Sequence, residues 1–231
     1  MGLLCGALCG VIVTLVTVFI LRIFVTLRHG SKHKPGKKGP VSVLVVAGSG
    51  QINLSSQIVR KHNGGHTTEI IRLMGALSPF YKPRHYVLAD TDKMSEEKIR
   101  AFEAEREKTC SASQFTLHRI PRSREVRQSW SSSVLTSLSA LVSSIPLLFR
   151  LQPDVVLCNG PGTCVPLCAA GILLGVLGVK RVLIVFVESI CRVETLSLSG
   201  KILYYFADYF FVQWVPLKDK YPKAIYLGRL V

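Results

Sequence analysis

Residues 45–70 read VVAGSGQINLSSQIVRKHNGGHTTEI, and this stretch sets the start of the fold. Residues 45–47 end a short apolar strand, and the glycines of residues 48–50 begin a tight turn. A helix opens at residues 65–69, after the fourteen residues 51–64. Without those fourteen residues the text would read VVAGSGGHTTEI, a continuous strand, glycine turn and helix. We therefore interpret residues 51–64 as a loop inserted into a strand–turn–helix unit.

The rest of the chain alternates apolar strands with helical patterns. Short, β-branched apolar runs predict strands at residues 41–47, 85–89, 115–120, 155–158, 182–187, 209–212 and 224–227. Apolar residues spaced i, i+3 and i+4 predict helices at residues 67–77, 93–108, 133–149, 165–177 and 196–207. Strands that are apolar on both faces indicate a parallel sheet covered by helices on both sides. We therefore predict an α/β fold, a single Rossmann-like lobe of five or six β-α units.

Two of the predicted helices carry finer expectations. In the helix at 93–108, Ser95 is the expected N-cap, because its hydroxyl can accept a free N–H of the first turn. The helix at 133–149 is amphipathic, and Pro146 should kink or end it. One face of that helix is formed by Val134, Leu138, Leu141, Val142 and Ile145.

The N-terminal segment predicts a membrane span. Residues 1–21 carry no charged side chain, and residues 3–21 would make a helix of about 28 Å against a hydrocarbon core of about 30 Å. A cleavable signal peptide is the alternative, but no basic residue precedes the apolar run. The basic residues that follow the run are Arg22, Arg28, Lys32, Lys34, Lys37 and Lys38. We therefore predict a transmembrane anchor at 1–27, a basic linker at 28–40, and a lobe at 41–231 on the cytosolic side.

The net charge of +15 raises the question of a nucleic-acid partner. Much of the excess lies next to the span, and helix-turn-helix, zinc-finger and aromatic RNA-binding signatures are absent from the sequence, so no nucleic-acid partner is expected. The seven cysteines include no C-x-x-C pair and no spacing that would hold a metal together with histidines. Reduced, mostly buried thiols of a cytosolic protein account for them. We predict neither a metal nor another cofactor.

Four segments at predicted strand ends are candidates for ligand binding, since open parallel sheets bind ligands at the carboxyl ends of their strands. They are the glycine turn interrupted by residues 51–64, and the segments 118–127, 159–163 and 188–195. The turn and the last two segments could each be a plain strand-to-helix turn, and GSG without a third spaced glycine is not a dinucleotide fingerprint. Segment 118–127 holds four arginines and one carboxylate, which suits either a diphosphate or a membrane surface.

Six blocks of sequence, in order along the chain, resemble one protein family. They are GSG…GGHTTEI, RHYVLADTD, HRIPRSREV, VLCNGPGTCVP, VESICRVETLSLSGK and YPKAIYLGRLV. The family is that of asparagine-linked glycosylation fourteen, the membrane-anchoring subunits of the eukaryotic dolichyl-diphosphate N-acetylglucosaminyltransferase. The lobe is more distantly similar to the acceptor half of the bacterial GT-B glycosyltransferase that adds N-acetylglucosamine to lipid-linked muramyl peptide.

This resemblance implies an activity that is shared between two chains. The family adds the second N-acetylglucosamine from UDP-N-acetylglucosamine to N-acetylglucosaminyl-diphospho-dolichol, at the cytosolic face of the endoplasmic reticulum membrane. This chain would anchor the complex and form the acceptor-side lobe, and a separate soluble subunit would bind the donor. The chain would be inactive alone. Two other functions stay open: a pure membrane scaffold that recruits the catalytic subunit, and a membrane-tethered NAD-dependent oxidoreductase, against which the incomplete glycine fingerprint counts.

The resemblance and the strand-end loops together indicate site residues. His66 matches the loop histidine of the family and is the first candidate for general base, with a loop-shaping role as the alternative. Glu188 and Glu194 are the carboxylate candidates, and Glu188 could instead orient the acceptor sugar. Acceptor and diphosphate contacts are expected from Ser49, Gly50, Gly65, Thr67, Arg122, Arg124, Asn159, Gly160 and Gly162. The last residues, Gly228, Arg229, Leu230 and Val231, resemble a docking tail for the donor subunit, or else finish a strand.

The insertion at residues 51–64 departs from the family, in which the glycine turn is continuous. A loop that bulges outward costs little stability, because closure entropy grows slowly with loop length. Catalysis is more sensitive, since a misplacement of about 1 Å can cost about 100-fold in rate. We therefore predict a product of alternative splicing or of exon prediction that folds but is impaired.

Overall fold

A seven-stranded parallel sheet forms the centre of the protein in the computed structural model, with strand order β3-β2-β1-β4-β5-β6-β7. The strands are β1 (Val43–Val46), β2 (Arg84–Ala89), β3 (Phe115–Ile120), β4 (Val155–Asn159), β5 (Leu183–Val187), β6 (Tyr209–Val212) and β7 (Ile225–Tyr226). The helices are α1 (Val16–Thr26), α2 (His66–Ala76), α3 (Lys93–Thr109), α4 (Trp130–Leu151), α5 (Cys164–Val176), α6 (Leu198–Leu203) and α7 (Val215–Lys220). The structure describes residues 13–14, 16–26, 39–48, 65–109, 114–123 and 128–231, the side chain of Trp130 excepted.

The central strands are buried on both faces. All residues of β1, β2 and β4 are buried, as their mostly apolar runs predict. Neighbouring residues of β1 belong to different core clusters, with Leu44 packed near Phe186 and Val45 packed near Tyr86. Because successive side chains of a strand point to opposite faces, the two clusters lie on opposite sides of the sheet. The predicted doubly covered α/β lobe is confirmed.

The chain reverses its direction across the sheet between β1 and β4. Val45 of β1 pairs with Tyr86 of β2 on one side and with Leu157 of β4 on the other. After β1 the chain adds β2 and β3 on one side, then crosses to β4 and continues outward to β7. The carboxyl ends of β1 and β4 therefore border the topological switch point, where ligands bind in open α/β sheets.

Helix α4 turns an apolar surface outward. Apolar side chains on one face of a helix normally pack on the core. Here Val134, Leu135, Leu138 and Val142 are 65%, 68%, 54% and 62% exposed. The fully buried positions of α4 are mostly small or polar: Ser133, Ala140, Ser144 and Leu148. We call the four exposed side chains the outer face of α4.

The predicted apolar face of this helix is therefore split. Leu141 and Ile145 pack, partly buried, against the core, whereas Val134, Leu138 and Val142 do not. The packing of α4 against helix α5 decides which side is buried. Small side chains such as Ala140 and Ser144 let the two helices lie close together. Ser144 is satisfied within α4, since its hydroxyl donates to the Ala140 carbonyl at 2.7 Å.

Two described helices bear on the predicted membrane association. Among the described residues, Ser131–Leu151 of α4 is the helix that is long and apolar enough to cross a membrane. Helix α1 is a shorter apolar helix from the predicted anchor, and most of its described side chains are exposed. Its carboxyl end contacts the lobe, where Arg181 donates a hydrogen bond to the Thr26 carbonyl at 3.0 Å. The other parts of the predicted anchor and most of the linker lie outside the described residues.

Several helix ends differ from the predicted ones for local reasons. Ser95 is not the N-cap of α3, because the helix begins at Lys93 and the Asp92 carboxylate accepts the Ser95 N–H at 3.1 Å. Helix α4 does not end at Pro146 but continues to Leu151. Helix α6 is shorter than its predicted range, and the sequence pattern does not predict the six-residue helix α7.

Candidate functional site

The loops after β1 and β4 meet at the switch point. Gly48 follows β1, and a Cβ atom at this position would lie 3.1 Å from Cβ of Pro161 in the loop after β4. This separation is tighter than ordinary side-chain contact, so glycine allows the two loops to pack together. The contact joins the two loops that border the topological switch point.

His66 lies in the crevice at the switch point, as the first residue of α2. Its ring packs on Gly160, where a Cβ atom would overlap with the imidazole. Gly160 also has a φ of +77°, a left-handed conformation that glycine adopts without strain. His66 Nδ1 lies 3.3 Å from Asn159 Oδ1, at the carboxyl end of β4. The structure thus brings together His66, Asn159 and Gly160 from the predicted site.

Asn159 links this histidine to the buried carboxylate of Glu69. The Asn159 amide nitrogen donates to Glu69 Oε2 at 3.0 Å. Glu69 also accepts a hydrogen bond from the Ser189 hydroxyl at 2.7 Å and from the Ile190 N–H at 3.4 Å. The Glu69 carboxylate therefore joins α2 to the loops after β4 and β5. We call His66, Glu69, Asn159 and Ser189 the switch-point cluster.

The surroundings of His66 favour its neutral form. Burial lowers the pKa of His66 below the ordinary value of 6.5, because the imidazolium loses solvation in the crevice. The charge of Glu69 and the hydrogen bond with Asn159 oppose this shift, and the positive charge of Arg192 adds to it. His66 is partly exposed. It is therefore neutral at pH 7, reachable by a ligand and able to accept a proton.

Glu188, directly after β5, has a different environment. Its side chain is fully buried, and its carboxylate accepts the Ser197 N–H at 3.0 Å, the Ser197 hydroxyl at 3.1 Å and the Ser189 N–H at 3.1 Å. Burial raises the pKa of Glu188, and these hydrogen bonds oppose the shift. A side chain at Gly200 would overlap with the carboxylate. Glu188 therefore ties the loop after β5 to the start of α6 and does not face the crevice.

The remaining predicted residues of these loops have varied positions. Glu194 is exposed, and its carbonyl accepts a hydrogen bond from Lys220 at 3.1 Å. Thr67 is buried, with its hydroxyl 2.5 Å from the Ser95 hydroxyl, so it ties α2 to α3 and is unavailable to a ligand. Gly65 precedes α2, and Gly162 precedes α5 in the loop after β4. A Cβ atom at either glycine would meet no described atom within 4 Å.

The arginine segment after β3 is described only in part. Ser49, Gly50 and Arg124 lie outside the described residues. Arg122 is described and partly exposed. Next to it, the Ser123 carbonyl accepts hydrogen bonds from the hydroxyls of Thr136 at 2.7 Å and Ser137 at 3.1 Å, both on α4. Ser123, which directly follows Arg122, is thereby held at the first turns of α4.

The C-terminal tail is bound to the lobe by two side chains that follow β6. The Gln213 side-chain oxygen accepts the N–H of Leu230 at 3.1 Å and that of Val231 at 3.3 Å. The guanidinium of Arg229 lies 4.5 Å from the centre of the Trp214 ring, a cation–π contact. The tail therefore lies beyond β7 with a binding site of its own on the lobe.

The same two side chains hold the loop after β5. Gln213 Nε2 donates to the Glu188 carbonyl at 2.9 Å, and the Trp214 indole N–H donates to the Ile190 carbonyl at 2.7 Å. Gly228, with a φ of +85°, turns the chain from β7 into the tail. Hydrogen bonds therefore connect the tail, through this loop, with the switch-point cluster.

Sequence reasoning misses four residues of this arrangement: Glu69, Ser189, Gln213 and Trp214. One signal was available, because His66 and Glu69 are spaced i, i+3 and therefore share a face of α2. The other contacts join distant parts of the chain, and Glu69 and Ser189 are 120 positions apart. Pattern and spacing along the sequence do not report such pairs.

Metal-binding groups and cysteines add little to the site. Among the described residues, no group of three or more His, Cys, Asp and Glu side chains is placed to hold a metal ion. Cys158, Cys164 and Cys168 are free and buried, and burial raises the thiol pKa of Cys158 and Cys164. Such thiols are poor nucleophiles and poor ligands. The expectation that the activity needs no metal stays a prediction.

Residues 58–230 match the family described as "Oligosaccharide biosynthesis protein Alg14 like". Among curated relatives, the chain is 56% identical over 220 residues to the UDP-N-acetylglucosamine transferase subunit ALG14 of Homo sapiens, which covers 94% of each chain. It is 39% identical over 221 residues to UDP-N-acetylglucosamine transferase subunit alg14 of Schizosaccharomyces pombe, covering 94% of this chain and 95% of the relative. The similarity therefore extends over most of the chain, from a mammal to a yeast.

Two solved structures share the fold of the lobe. A UDP-N-acetylglucosamine 2-epimerase superposes with a TM-score of 0.53 at 18% identity, covering 80% of this chain and 45% of the other. MurG of Acinetobacter baumannii superposes with a TM-score of 0.50 at 16% identity, covering 76% of this chain and 41% of the other. The chain therefore spans less than half the length of either structure. At these identities the likeness concerns the fold alone.

Proposed function

The chain belongs to the family of Alg14-like oligosaccharide biosynthesis proteins, and we propose that it is the acceptor-side subunit of a UDP-N-acetylglucosamine transferase. Its curated relatives are named as subunits of that transferase, which supports a role in a glycosyltransferase complex. The reaction is the transfer of the second N-acetylglucosamine from UDP-N-acetylglucosamine to N-acetylglucosaminyl-diphospho-dolichol. A soluble donor-binding subunit completes the enzyme, and this chain alone is inactive.

The division of labour follows from the architecture of GT-B transferases, in which two Rossmann-like lobes enclose the substrates. The described residues form one sheet with one switch point. We propose that the partner supplies a second lobe, with the sugar-nucleotide site. The acceptor sugar reaches the crevice between the carboxyl ends of β1 and β4, where the loop glycines let it approach the backbone.

One observation carries the catalytic part of the proposal: a neutral, partly exposed His66 is held over Gly160 at the switch point. The acceptor 4-hydroxyl must lose its proton as its oxygen attacks the anomeric carbon of the donor, and a neutral imidazole is suited to accept that proton. The bond from the anomeric carbon to the diphosphate breaks in the same step, and UDP leaves. Glu188 has a structural role in this scheme, since its carboxylate holds the loop after β5.

Membrane association has two supports. Helix α1 belongs to the apolar N-terminal segment, which we propose to be a single-pass anchor at residues 1–27 followed by a basic linker at 28–40. The outer face of α4 presents four large apolar side chains that a soluble surface would not leave together. We place the lobe, residues 41–231, on the cytosolic face of the endoplasmic reticulum membrane, with α4 lying against the bilayer.

Arg122 directly precedes Ser123, whose carbonyl is hydrogen-bonded to the first turns of α4. We propose that the diphosphate of a lipid-linked acceptor emerges from the bilayer beside this segment. We assign Arg122 and Arg124 to diphosphate binding, since guanidinium groups bind phosphate oxygens bidentately. Arg122→Ala should raise KM for a soluble short-chain acceptor and leave kcat nearly unchanged. An unchanged KM would leave the arginines a membrane-surface role only.

The tail of residues 228–231 is assigned to docking of the donor-binding subunit. Arg229 is exposed and stacked on Trp214, and such an arginine–aromatic pair at a surface suits a protein interface. Removing the last four residues should abolish co-purification of the partner. Retained binding would show instead that the tail only completes the lobe.

Residues 51–64, which we interpret as an insertion, come directly before Gly65 and α2 in the sequence. We propose that the insertion impairs turnover without preventing folding. Growth of a yeast strain that lacks the endogenous subunit should be better with the chain from which residues 51–64 are deleted than with the chain as it stands. Equal growth would contradict the impairment.

The central experiment reconstitutes this chain with its donor-binding subunit and measures transfer of labelled N-acetylglucosamine to a lipid-linked acceptor. We expect product only when both chains are present. Consumption of UDP-N-acetylglucosamine by this chain alone would overturn the proposal. If an intact complex keeps full turnover after replacement of His66, the chain acts instead as a membrane scaffold.

A further inference from the structure

We propose that Glu69 and Asn159 are positioning residues, which hold His66 in the tautomer that carries its proton on Nδ1 and offers Nε2 to the acceptor hydroxyl. This inference rests on the proposed role of His66 as the general base and adds the groups that orient it.

The orientation of the Asn159 amide is determined by its neighbours. One end of the amide lies 3.0 Å from Glu69 Oε2 and 3.3 Å from the Val187 carbonyl oxygen. Both neighbours are acceptors, so this end must be the donating Nδ2. The other end, which lies next to His66, is therefore Oδ1. An exchange of the two ends would bring three oxygens together without a hydrogen between them.

The orientation of Asn159 in turn determines the tautomer of His66. Asn159 Oδ1 can only accept, and His66 Nδ1 lies 3.3 Å from it. Nδ1 must then carry the hydrogen, and in a neutral ring Nε2 carries the lone pair. No hydrogen bond from the described residues reaches Nε2. The accepting nitrogen of the ring therefore has no hydrogen-bond partner among the described residues, and we assign it to the acceptor hydroxyl.

Glu69 keeps this arrangement in place from the far side. Its carboxylate accepts hydrogen bonds from three donors: Asn159 Nδ2, the Ser189 hydroxyl and the Ile190 N–H. It is buried and lies one turn after His66 on the same helix. The same side chain therefore orients the amide and supplies a fixed negative charge near the ring. That charge stabilises the imidazolium that forms when His66 takes the proton from the acceptor oxygen.

The charged groups that face His66 act in opposite directions. Glu69 on α2 raises the pKa of the imidazole, whereas Arg192 in the loop after β5 lowers it, and burial is the largest influence. Replacing Glu69 by glutamine keeps a side chain of the same shape, whose oxygen can accept from Asn159 and whose amide can donate to the Ser189 hydroxyl. The charge is lost, so the pKa of His66 falls further.

The test measures the pH dependence of kcat for the reconstituted two-chain enzyme. With Glu69→Gln we expect about a tenfold lower kcat, well short of the about 100-fold or greater loss for His66→Ala. The acid limb of the pH profile should move to lower pH. With Asn159→Ala, the hydrogen bond that raises the pKa of His66 is lost, so the acid limb should also move to lower pH. A merely structural role would move neither limb.

A second readout separates positioning from folding. In a chain that already carries His66→Ala, adding Glu69→Gln should leave the residual rate unchanged, because the charge acts through the imidazole. Glu103→Gln is the matched control, since Glu103 is also buried and hydrogen-bonded but to Arg84 and Tyr86. It should reduce stability without moving the acid limb.

The results that overturn the inference are distinct from those that overturn the proposed function. The positioning role of Glu69 and Asn159 is contradicted if Glu69→Gln lowers kcat equally with and without His66 and leaves the pH profile unchanged. In that case a large effect of His66→Ala still supports the general base. If His66→Ala keeps full turnover in an intact complex, His66 is not the general base, and the positioning role of Glu69 and Asn159 is contradicted as well.

Discussion

At the switch point the protein buries polar side chains, whereas along the outer face of α4 it exposes apolar ones. Glu69 and Asn159 are buried in the switch-point cluster, and each has hydrogen-bond partners there. On α4, Leu135 and Leu138 are more than half exposed, while Ser133 and Ser144 are buried. Both regions depart from the ordinary arrangement of a soluble protein, in which polar groups face water and apolar groups face the core.

The two departures have different physical explanations. A buried polar cluster is stable when its donors and acceptors are paired, and it then holds a catalytic ring in a single orientation. Exposed apolar side chains add no free energy of burial to the lobe itself, so we expect another surface to cover this face. The first region therefore concerns chemistry within the lobe, and the second concerns where the lobe is held.

The largest effect is expected for removal of the imidazole. His66→Ala should lower kcat of the two-chain enzyme by about 100- to 10,000-fold, the usual contribution of a general base. Co-purification of the partner should be unchanged, since His66 contacts the crevice and not the tail. A fall in kcat of less than tenfold would contradict the catalytic importance of the switch-point cluster.

A smaller but still large effect is expected for Gly160→Ala. The added methyl group would overlap with the His66 ring, and the left-handed backbone at φ +77° would be strained. We expect a loss of about 100-fold in kcat, because the base is displaced by about 1 Å. Gly75→Ala is the control, because Gly75 lies on the same helix as His66. Its added Cβ atom would meet the Phe102 side chain at 3.9 Å, an ordinary contact distance. Equal rates for the two variants would refute the packing argument.

The outer face of α4 can be tested by chemical labelling. In membranes, a cysteine introduced as Leu138→Cys should react with a water-soluble maleimide several-fold more slowly than a cysteine introduced as Arg100→Cys. Arg100→Cys on α3 is the control, because Arg100 is 60% exposed and its face is charged. The unsubstituted chain gives the signal of the native cysteines. Equal labelling at both positions in membranes would show that α4 does not lie against the bilayer.

The smallest expected effect is a change of thermal stability with pH. Burial lowers the pKa of His66, His85 and His118 below 6.5. The unfolded chain then binds protons more readily than the folded one. The stability from these histidines is therefore present above pH 6.5 and is lost as pH falls through the folded-state pKa values. The midpoint of thermal unfolding should drop by a few degrees between pH 7.5 and pH 5.5.

The outer face of α4 should not respond over the same range, because Val134, Leu135, Leu138 and Val142 do not titrate. Labelling of Leu138→Cys in membranes is therefore expected to keep the same degree of protection at pH 5.5. A protection that disappears at pH 5.5 would mean that titratable groups, and not the apolar side chains, hold α4 at the membrane.

The elements of the fold were largely predictable because each depends on local pattern. The strands at residues 115–120 and 209–212 lie where the β-branched and aromatic runs predict them, as β3 and β6. Helix α4 also lies in the predicted region. Its sequence pattern does not show which element α4 packs against. The helical period shows which side chains share a face. Ala140 and Ser144 are buried only because the tertiary packing of α4 places their face against the rest of the lobe.

The site was predictable in its loops and not in its connections. The glycine-rich segments and His66 stand out in the sequence, because close approach to a ligand requires small residues. The contact of Glu69 with Ser189 spans 120 positions, and that of Asn159 with Glu69 spans 90. Such pairs arise only when β4 comes to lie beside β1 and β5 beside β4, since parallel strands bring their carboxyl ends to one edge.

The amino-acid sequence alone therefore determined the apolar strands, the helical periods and the glycines of the strand-end loops, all of which follow from short-range sterics and burial. Only the tertiary structure decided which nitrogen of His66 carries the proton and which side of α4 faces outward. Both depend on groups that the chain brings together from far apart. A hydrogen-bond direction or an exposed face is defined by its neighbours, and no property of the residue alone specifies them.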